Sequence, residues 1–104
     1  MSINAPWWVF ADAVIDSDQD LPGVYELGNA AGEVIYIGSS SELRRRLKEH
    51  WHEPNGTCVR KNTTQYRLEY RPDYLAGERE LFEQYVRDYG RPPLCNEARP
   101  AEAH

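Results

Sequence analysis

Two short runs rich in β-branched and aromatic residues, VYEL and EVIYI, constrain the fold of this 104-residue chain more than any other feature. The segment GNAAG lies between them and supplies two glycines, so the two runs predict a β-hairpin. The strands carry the tripeptides GVY (residues 23–25) and YIG (residues 36–38), with ten residues between them. Because GNAAG is longer than the two-residue loops that fix strand pairing, the register of the hairpin stays open.

A helix is predicted directly after the hairpin. Ser39 and Glu42 have the spacing of a capping box, which indicates a helix start. A polar stripe on this helix contains Arg46 and His50, and the helical period places their side chains next to each other. Apolar residues recur every four positions on the neighbouring stripe: Leu43, Leu47 and Trp51.

The second half of the chain predicts a loop, a strand and a helix. Residues 52–63 are rich in turn formers and are expected to form the loop, and the alternating pattern of residues 64–71 predicts a third strand. The helix is expected to begin at Pro72 or Leu75 and to end at Tyr89, before a glycine. Its predicted apolar face consists of Leu75, Phe82, Tyr85, Val86 and Tyr89.

These elements predict one small α/β (α+β) domain, with a three-stranded, mainly antiparallel sheet flanked by helices. A chain of this length holds a single hydrophobic core, so residues 1–104 are expected to be one domain. Residues 21–96 form its motif-bearing core. Residues 1–20 are interpreted as an apolar flap or edge element, and residues 97–104 as a tail.

The charges of the chain are unevenly distributed. The net charge of −5 argues by itself against a nucleic-acid partner, because acidic groups repel phosphates. However, residues 44–71 carry eight basic side chains against three acidic ones, whereas residues 1–43 have no Lys or Arg. This middle segment is the basic island. The members expected to contact a nucleic-acid backbone are Arg44, Arg45, Lys48, Arg60 and Lys61.

The N-terminus and the cysteines favour a cytoplasmic protein without a membrane span. No apolar run approaches the ~20 residues that a span needs, and the first residues lack the pattern of a signal peptide. Cys58 and Cys95 are expected to be two free thiols in a reducing compartment. Together with His50 and His52 they match no closed zinc-site spacing, so zinc is disfavoured.

The combination of motifs resembles the GIY-YIG nucleases. The residues that carry the resemblance are GVY, YIG ten residues later, an arginine ten positions after the YIG tyrosine and a histidine four positions beyond that. Valine stands where the family name has isoleucine, which preserves a β-branched strand residue. A glutamate-bearing helix followed by prolines and an asparagine extends the similarity over residues 21–96. The resemblance implies an endonuclease that hydrolyses DNA phosphodiesters.

Position by position, the resemblance makes Tyr25 and Tyr36 the paired tyrosines, Arg46 the catalytic arginine and His50 the histidine one helical turn later. The planar, permanently charged guanidinium of Arg46 suits phosphate oxygens. A phenol has an ordinary pKa of about 10, so neighbouring cations must lower it before a tyrosine can activate water, and the sequence leaves open which tyrosine does so. Four further residues are expected at the substrate: Gly38, Arg45, Lys48 and Asn96.

The resemblance also implies one divalent cation, Mg²⁺ or Mn²⁺, on a glutamate of the last predicted helix. Glu83 matches the metal ligand of the repair-incision branch of the family, so it is assigned as the catalytic metal ligand. Helical periodicity favours Glu78 instead, because Glu78 lies near the centre of the predicted apolar face and Glu83 at its flank. Glu83 is therefore ranked first and Glu78 second.

The predicted function is a divalent-metal-dependent endonuclease with tyrosine-assisted water activation and arginine-stabilised phosphate. DNA is the expected partner, with RNA as an open alternative. Sequence specificity would come from a separate DNA-recognition partner or a homodimer, unless specificity is loose. The alternative is a catalytically silent, nuclease-like module that binds nucleic acid or protein, which the acidic net charge favours.

Overall fold

The structure contains the predicted hairpin. The protein is described by a computed structural model that covers residues 3–97, so the predicted tail, residues 97–104, lies outside the described residues apart from its first position. The elements in chain order are β1 (Trp8–Val9), α1 (Asp12–Ile15), β2 (Gly23–Gly28), β3 (Val34–Ser40), α2 (Leu43–Trp51), α3 (Cys58–Asn62), β4 (Gln65–Tyr70), α4 (Tyr74–Tyr89) and α5 (Leu94–Glu97).

The sheet has four strands in the order β1-β4-β2-β3, and every neighbouring pair is antiparallel. The mixed α/β class is confirmed, but the prediction of three strands is wrong. The additional strand is β1, in which Trp8 and Val9 pair with Tyr66 and Gln65 of β4. A two-residue strand is too short to give a periodic signal, which is why residues 1–20 predict only a flap or an edge.

The register of the hairpin assigns its side chains to two faces of the sheet. Tyr25 lies opposite Gly38, and Leu27 lies opposite Tyr36. Because successive side chains of a strand alternate, Tyr25 and Tyr36 share the face that α2 covers. Val24 and its neighbours on the other face pack against α4 in a second, smaller core. We call these the α2 face and the α4 face.

Helix α4 is the longest helix at 16 residues, and its end agrees with the prediction. It stops where Gly90 takes a left-handed φ of 76°, a conformation that glycine adopts without strain. Its buried residues are Gly77 and Leu81, whereas Leu75 and Tyr89 are 65% and 63% exposed. The predicted apolar face is therefore partly wrong. No helix within residues 3–97 is long and apolar enough to cross a membrane.

The start of α2 differs from the predicted capping box. Ser39 and Ser40 remain in strand β3, and α2 begins after Glu42 without a side-chain cap. The hydroxyl of Ser40 instead accepts a hydrogen bond from the backbone N–H of Glu42 at 2.9 Å. Strand β3 continues two residues beyond YIG, so both serines belong to the sheet. The hydroxyl of Ser39 can therefore contact α4.

Helix α3 and a disulfide occupy the region where the sequence predicts a loop and free thiols. The helix lies within residues 52–63 and is capped by Thr57, whose hydroxyl accepts a hydrogen bond from the backbone N–H of Arg60. Cys58 of α3 and Cys95 of α5 form a disulfide with a Cα–Cα distance of 5.5 Å. The prediction of free thiols is wrong, because the fold returns the C-terminal segment to α3 despite a sequence separation of 37 residues.

Candidate active site

The two hairpin tyrosines lie side by side on the α2 face. The ring centroids of Tyr25 and Tyr36 are 5.9 Å apart with an interplanar angle of 22°. Tyr25 is wholly buried and Tyr36 is 1% exposed. Gly38 lies beneath the Tyr25 ring, where a β-carbon would collide with the phenol hydroxyl and its ring carbon. Glycine is therefore required at the third position of YIG so that Tyr25 can reach across β3.

His50 of α2 connects to one of these phenols. Its Nε2 lies 2.7 Å from the Tyr25 hydroxyl, and its ring packs edge-on against Tyr36 with centroids 5.0 Å apart. The other ring nitrogen, Nδ1, lies 2.8 Å from Oε2 of Glu53. His50 is 1% exposed. Tyr25, His50 and Glu53 thus form one hydrogen-bonded chain that runs from the sheet to the segment after α2.

The protonation states in this chain follow from burial and hydrogen bonding. Burial lowers the pKa of His50, although the hydrogen bond to Glu53 opposes that shift. The hydrogen bond with His50 lowers the pKa of Glu53. At neutral pH the imidazole is therefore neutral and the carboxylate ionised. Sequence reasoning missed Glu53, and the only signal for it was its position three residues after His50.

Arg46 is the basic residue of this cluster, and its side chain reaches solvent. Its side chain is 28% exposed, and its Nη1 lies 2.9 Å from Oε1 of Glu49. Burial alone would lower the pKa of Arg46, but Tyr25 and Glu49 outweigh burial and raise it. The guanidinium therefore stays charged next to the Tyr25 phenol. An anionic ligand that approaches this face would meet Arg46 before either tyrosine.

The two candidate glutamates lie on different sides of α4. Glu78 is half-buried, and its Oε1 accepts a 2.5 Å hydrogen bond from the hydroxyl of Ser39, the residue after YIG. Glu83 is exposed. Relative to the buried face of α4 centred on Leu81, Glu78 is turned by about 60° and Glu83 by about 160°. The structure therefore brings Glu78 to the YIG strand, and not Glu83.

The predicted substrate contacts lie in different surroundings. Arg45 is 67% exposed and pairs with Glu42, whereas Lys48 is 28% exposed and pairs with Asp12 and Asp16. The nearby acidic residues thus neutralise part of the basic island.

Asn96 contacts the sheet directly. Its Oδ1 accepts a hydrogen bond from the Ile37 N–H at 2.8 Å, and its Nδ2 donates one to the Ile37 carbonyl at 3.0 Å. Both ends of the amide therefore hold the free edge of β3, so the geometry indicates a role in positioning YIG. A contact between Asn96 and substrate stays a prediction.

The donor set fits a cation held by one carboxylate and no larger cluster. Within residues 3–97, no group of three or more His, Cys, Asp or Glu side chains is placed to share a metal ion. Glu78 offers a hard oxygen donor, the type that Mg²⁺ and Mn²⁺ prefer. Mg²⁺ commonly binds through one or two carboxylates and keeps several waters, so a single glutamate is sufficient.

The same architecture is present in a solved structure, that of the GIY-YIG N-terminal endonuclease domain of UvrC from Thermotoga maritima, a point mutant bound to its catalytic divalent cation. The two structures superpose with a TM-score of 0.60 and 21% sequence identity, over 81% of this chain and 91% of that domain. The chain therefore has the fold of a GIY-YIG domain. It belongs to the family described as Domain of unknown function (DUF7508), whose profile matches residues 1–80.

Short segments of the chain also match curated proteins. UvrABC system protein C of Nitrosomonas eutropha is 47% identical over 34 residues, which make up 33% of this chain and 6% of that protein. A putative bifunctional exonuclease/endonuclease protein of Mycobacterium tuberculosis is 43% identical over 44 residues, or 42% of this chain and 6% of that protein. The matched segments thus span only a small part of each relative.

Proposed function

We propose that this protein is an endonuclease that hydrolyses DNA phosphodiester bonds with the help of one divalent cation. The similarity to nuclease domains supports the general class. The roles of individual residues are argued from the geometry of the site.

The proposal rests on one observation: a tyrosine from the α2 face and a glutamate from the α4 face contact two consecutive residues of β3. Tyr25 lies against Gly38 on the α2 face, and Glu78 binds the side chain of Ser39 on the α4 face. Strand β3 is an edge strand of the sheet, and Gly38 and Ser39 directly follow Ile37, the residue whose outward backbone groups Asn96 binds. A phosphodiester at this edge would have a guanidinium on one side and a carboxylate on the other.

Glu78 is the residue that we propose to hold Mg²⁺ or Mn²⁺, in place of Glu83. Its carboxylate is half-buried and already fixed by Ser39, whereas Glu83 is exposed on the opposite side of α4. When bound, the cation would neutralise phosphate charge and stabilise the leaving oxygen.

Arg46 would bind the scissile phosphate. Its fork-shaped guanidinium can donate two parallel hydrogen bonds to phosphate oxygens. In the free protein Arg46 pairs with Glu49, and Tyr25 is wholly buried. Phosphate would therefore take Arg46 away from Glu49 and open a path for water to the phenol.

Tyr25 and His50 would remove the proton of the attacking water. The water oxygen forms the bond to phosphorus while its proton passes to the Tyr25 hydroxyl, whose own proton passes to Nε2 of His50. The bond from phosphorus to the leaving oxygen breaks, and that oxygen keeps the bonding pair and takes a proton from solvent. Tyr36 packs against both rings and holds their orientation.

The basic island would supply non-specific affinity through the exposed Arg45 and its neighbours. Lys48 is held by two aspartates, so its contribution is expected to be smaller. Base recognition would come from a separate partner or from a second copy of the chain.

The test is nicking of supercoiled plasmid in EDTA, Mg²⁺ or Mn²⁺, with single-stranded DNA and RNA of the same sequence in parallel. We expect cleavage only with a divalent cation. Arg46→Ala should lower the rate by about 10²- to 10³-fold, because charge stabilisation at the phosphate is lost. Arg87→Ala, an exposed arginine of α4, is the control and should leave the rate unchanged.

Glu78→Ala and Glu83→Ala separate the two metal-ligand assignments. Loss of cleavage with Glu78→Ala, together with wild-type cleavage by Glu83→Ala, is the expected result. The reverse result would restore Glu83 as the ligand. If the wild-type protein binds the plasmid without nicking it under any metal condition, the endonuclease proposal is wrong and the binding-module alternative stands.

A further inference from the structure

We propose that Glu53 is a positioning residue whose carboxylate holds His50 in the tautomer that accepts the proton of Tyr25. The inference rests on the proposed function, because it identifies the group that prepares the proton acceptor of that reaction. Glu53 would contact neither substrate nor metal and would act only through His50.

The tautomer follows from the two hydrogen bonds of the imidazole. An ionised carboxylate can only accept, so the 2.8 Å contact with Glu53 requires a proton on Nδ1 of His50. In a neutral imidazole the other nitrogen then has no proton, and Nε2 must accept across the 2.7 Å contact with Tyr25. The phenol therefore already donates its proton toward the atom that would receive it.

The contact between His50 and Glu53 lies between the core and the surface of the protein. Glu53 follows the end of α2 and its side chain is 29% exposed, whereas the imidazole is almost completely enclosed. The carboxylate thus links a buried proton acceptor to the surface. An imidazolium formed during turnover would lie next to a negative charge, which lowers the free energy of that charged state.

Other ionisable groups also face His50. They come from the two hairpin strands and from α2 itself: Tyr25, Tyr36, Arg46 and Glu49. Arg46 disfavours a proton on His50, whereas Glu53 and Glu49 favour it, and Glu53 contributes through a direct hydrogen bond. Glu53 is the acidic group in direct contact with the ring, so its substitution should have the clearest effect on His50.

The first measurement needs no substrate. In the ¹⁵N-labelled metal-free protein, NMR should show neutral His50 with its proton on Nδ1 and a pKa below the ordinary histidine value. Glu53→Gln removes the charge that raises the pKa of His50, so the titration should move to still lower pH. A wild-type His50 protonated on Nε2, or an unchanged titration in Glu53→Gln, would overturn the proposal whether or not the protein cuts DNA.

The second measurement is the pH dependence of cleavage. Because His50 must be neutral to accept a proton, the rate should fall as the pH drops through the pKa of His50. In Glu53→Gln this acidic limb should move to lower pH, while the maximal rate falls by about 10- to 100-fold, the range found for carboxylates that orient metal-bound histidines. Glu53→Asp keeps the charge and should recover part of the rate.

A purely structural role for Glu53 predicts a different result. The amount of folded protein, followed by thermal unfolding, would fall, but the acidic limb would stay where it is in the wild type. The control is Glu69→Gln, an exposed glutamate of β4, which should change neither the limb nor the rate. If the wild-type protein does not cleave, the proposed function fails, and the NMR result still decides the tautomer.

Discussion

The two faces of the sheet bury polar groups in different ways. On the α2 face, Tyr25 and His50 share a hydrogen bond of 2.7 Å between uncharged partners. On the α4 face, Glu26 and Arg67 form a cross-strand ion pair of 2.7 Å, with Glu26 only 3% exposed at its side chain. Tyr25 and Glu26 are neighbours in β2, so a single strand supplies both.

This difference teaches that burial by itself does not mark a functional group. On the α4 face, burial raises the pKa of Glu26 although Arg67 opposes the shift, and the charge of each partner compensates that of the other. On the α2 face the partner of Tyr25 is a neutral base that can take a proton. The capacity of the neighbour to change its protonation state separates a reactive group from a structural one.

The largest expected effect is that of Tyr25→Phe, which should lower the cleavage rate by about 10²- to 10⁴-fold, the usual contribution of general acid–base catalysis. Tyr66→Phe is the matched control on the same face, because the Tyr66 hydroxyl donates to Asp18 at 2.5 Å. Burial and Asp18 raise the pKa of Tyr66, so this phenol keeps its proton.

Tyr25→Phe leaves the buried Nε2 of His50 without its donor and should cost about 1–3 kcal/mol of unfolding free energy, whereas Tyr66→Phe leaves the half-buried Asp18 without its donor and should cost less. Plasmid nicking and thermal unfolding measure the two quantities separately. Equal rates in Tyr25→Phe and Tyr66→Phe would remove the functional distinction between the two phenols.

Next in size is Glu26→Ala on the α4 face. It leaves Arg67 without its carboxylate partner and should lower the unfolding free energy by about 3 kcal/mol, measured by urea denaturation. The double variant Glu26→Met/Arg67→Leu should recover most of this loss, since an apolar pair of similar volume often replaces a buried ion pair without cost. Cleavage per folded molecule should not change. A loss of cleavage beyond the loss of folded protein would show that both faces serve the reaction.

The smallest expected effect concerns Glu49, which pairs with Arg46 in the free protein. Glu49→Gln removes the carboxylate that competes with phosphate and should tighten DNA binding by about two- to fivefold, the range of an exposed ion pair. Fluorescence anisotropy in EDTA measures the dissociation constant without cleavage. Glu80→Gln makes the same charge change on α4, where Glu80 is 69% exposed. If both variants tighten binding equally, net charge alone explains the effect.

Local patterns in the sequence predicted the elements that position the site. The β-branched runs around Tyr25 and Tyr36 predicted the hairpin, and the four-residue spacing after Glu42 predicted α2. Both signals depend only on neighbours along the chain. Arg46 and His50 were expected one turn apart on α2, and the structure places both beside Tyr25.

Features that depend on distant parts of the chain were not predicted. Strand β1 exists only because β4 offers an edge, and the disulfide exists only because α5 returns to α3. Helical periodicity favoured Glu78 and the resemblance favoured Glu83, and only the packing of α4 showed that Glu78 is the one that contacts Ser39 of β3. Glu53 lies beyond α2, in a polar segment where no periodicity distinguishes it.

The disulfide between Cys58 and Cys95 tethers the segment that covers part of the free edge of β3. Asn96 follows Cys95 directly and occupies the outward backbone groups of Ile37, which are the groups that a foreign strand would use to extend the sheet. Reductants such as dithiothreitol would cut the tether of α5 to α3, and this terminal segment would then be held only by its peptide chain and by its contacts with β3, such as the hydrogen bonds of Asn96. Thiol additives in the storage buffer would therefore favour self-association of the protein through the edge of β3.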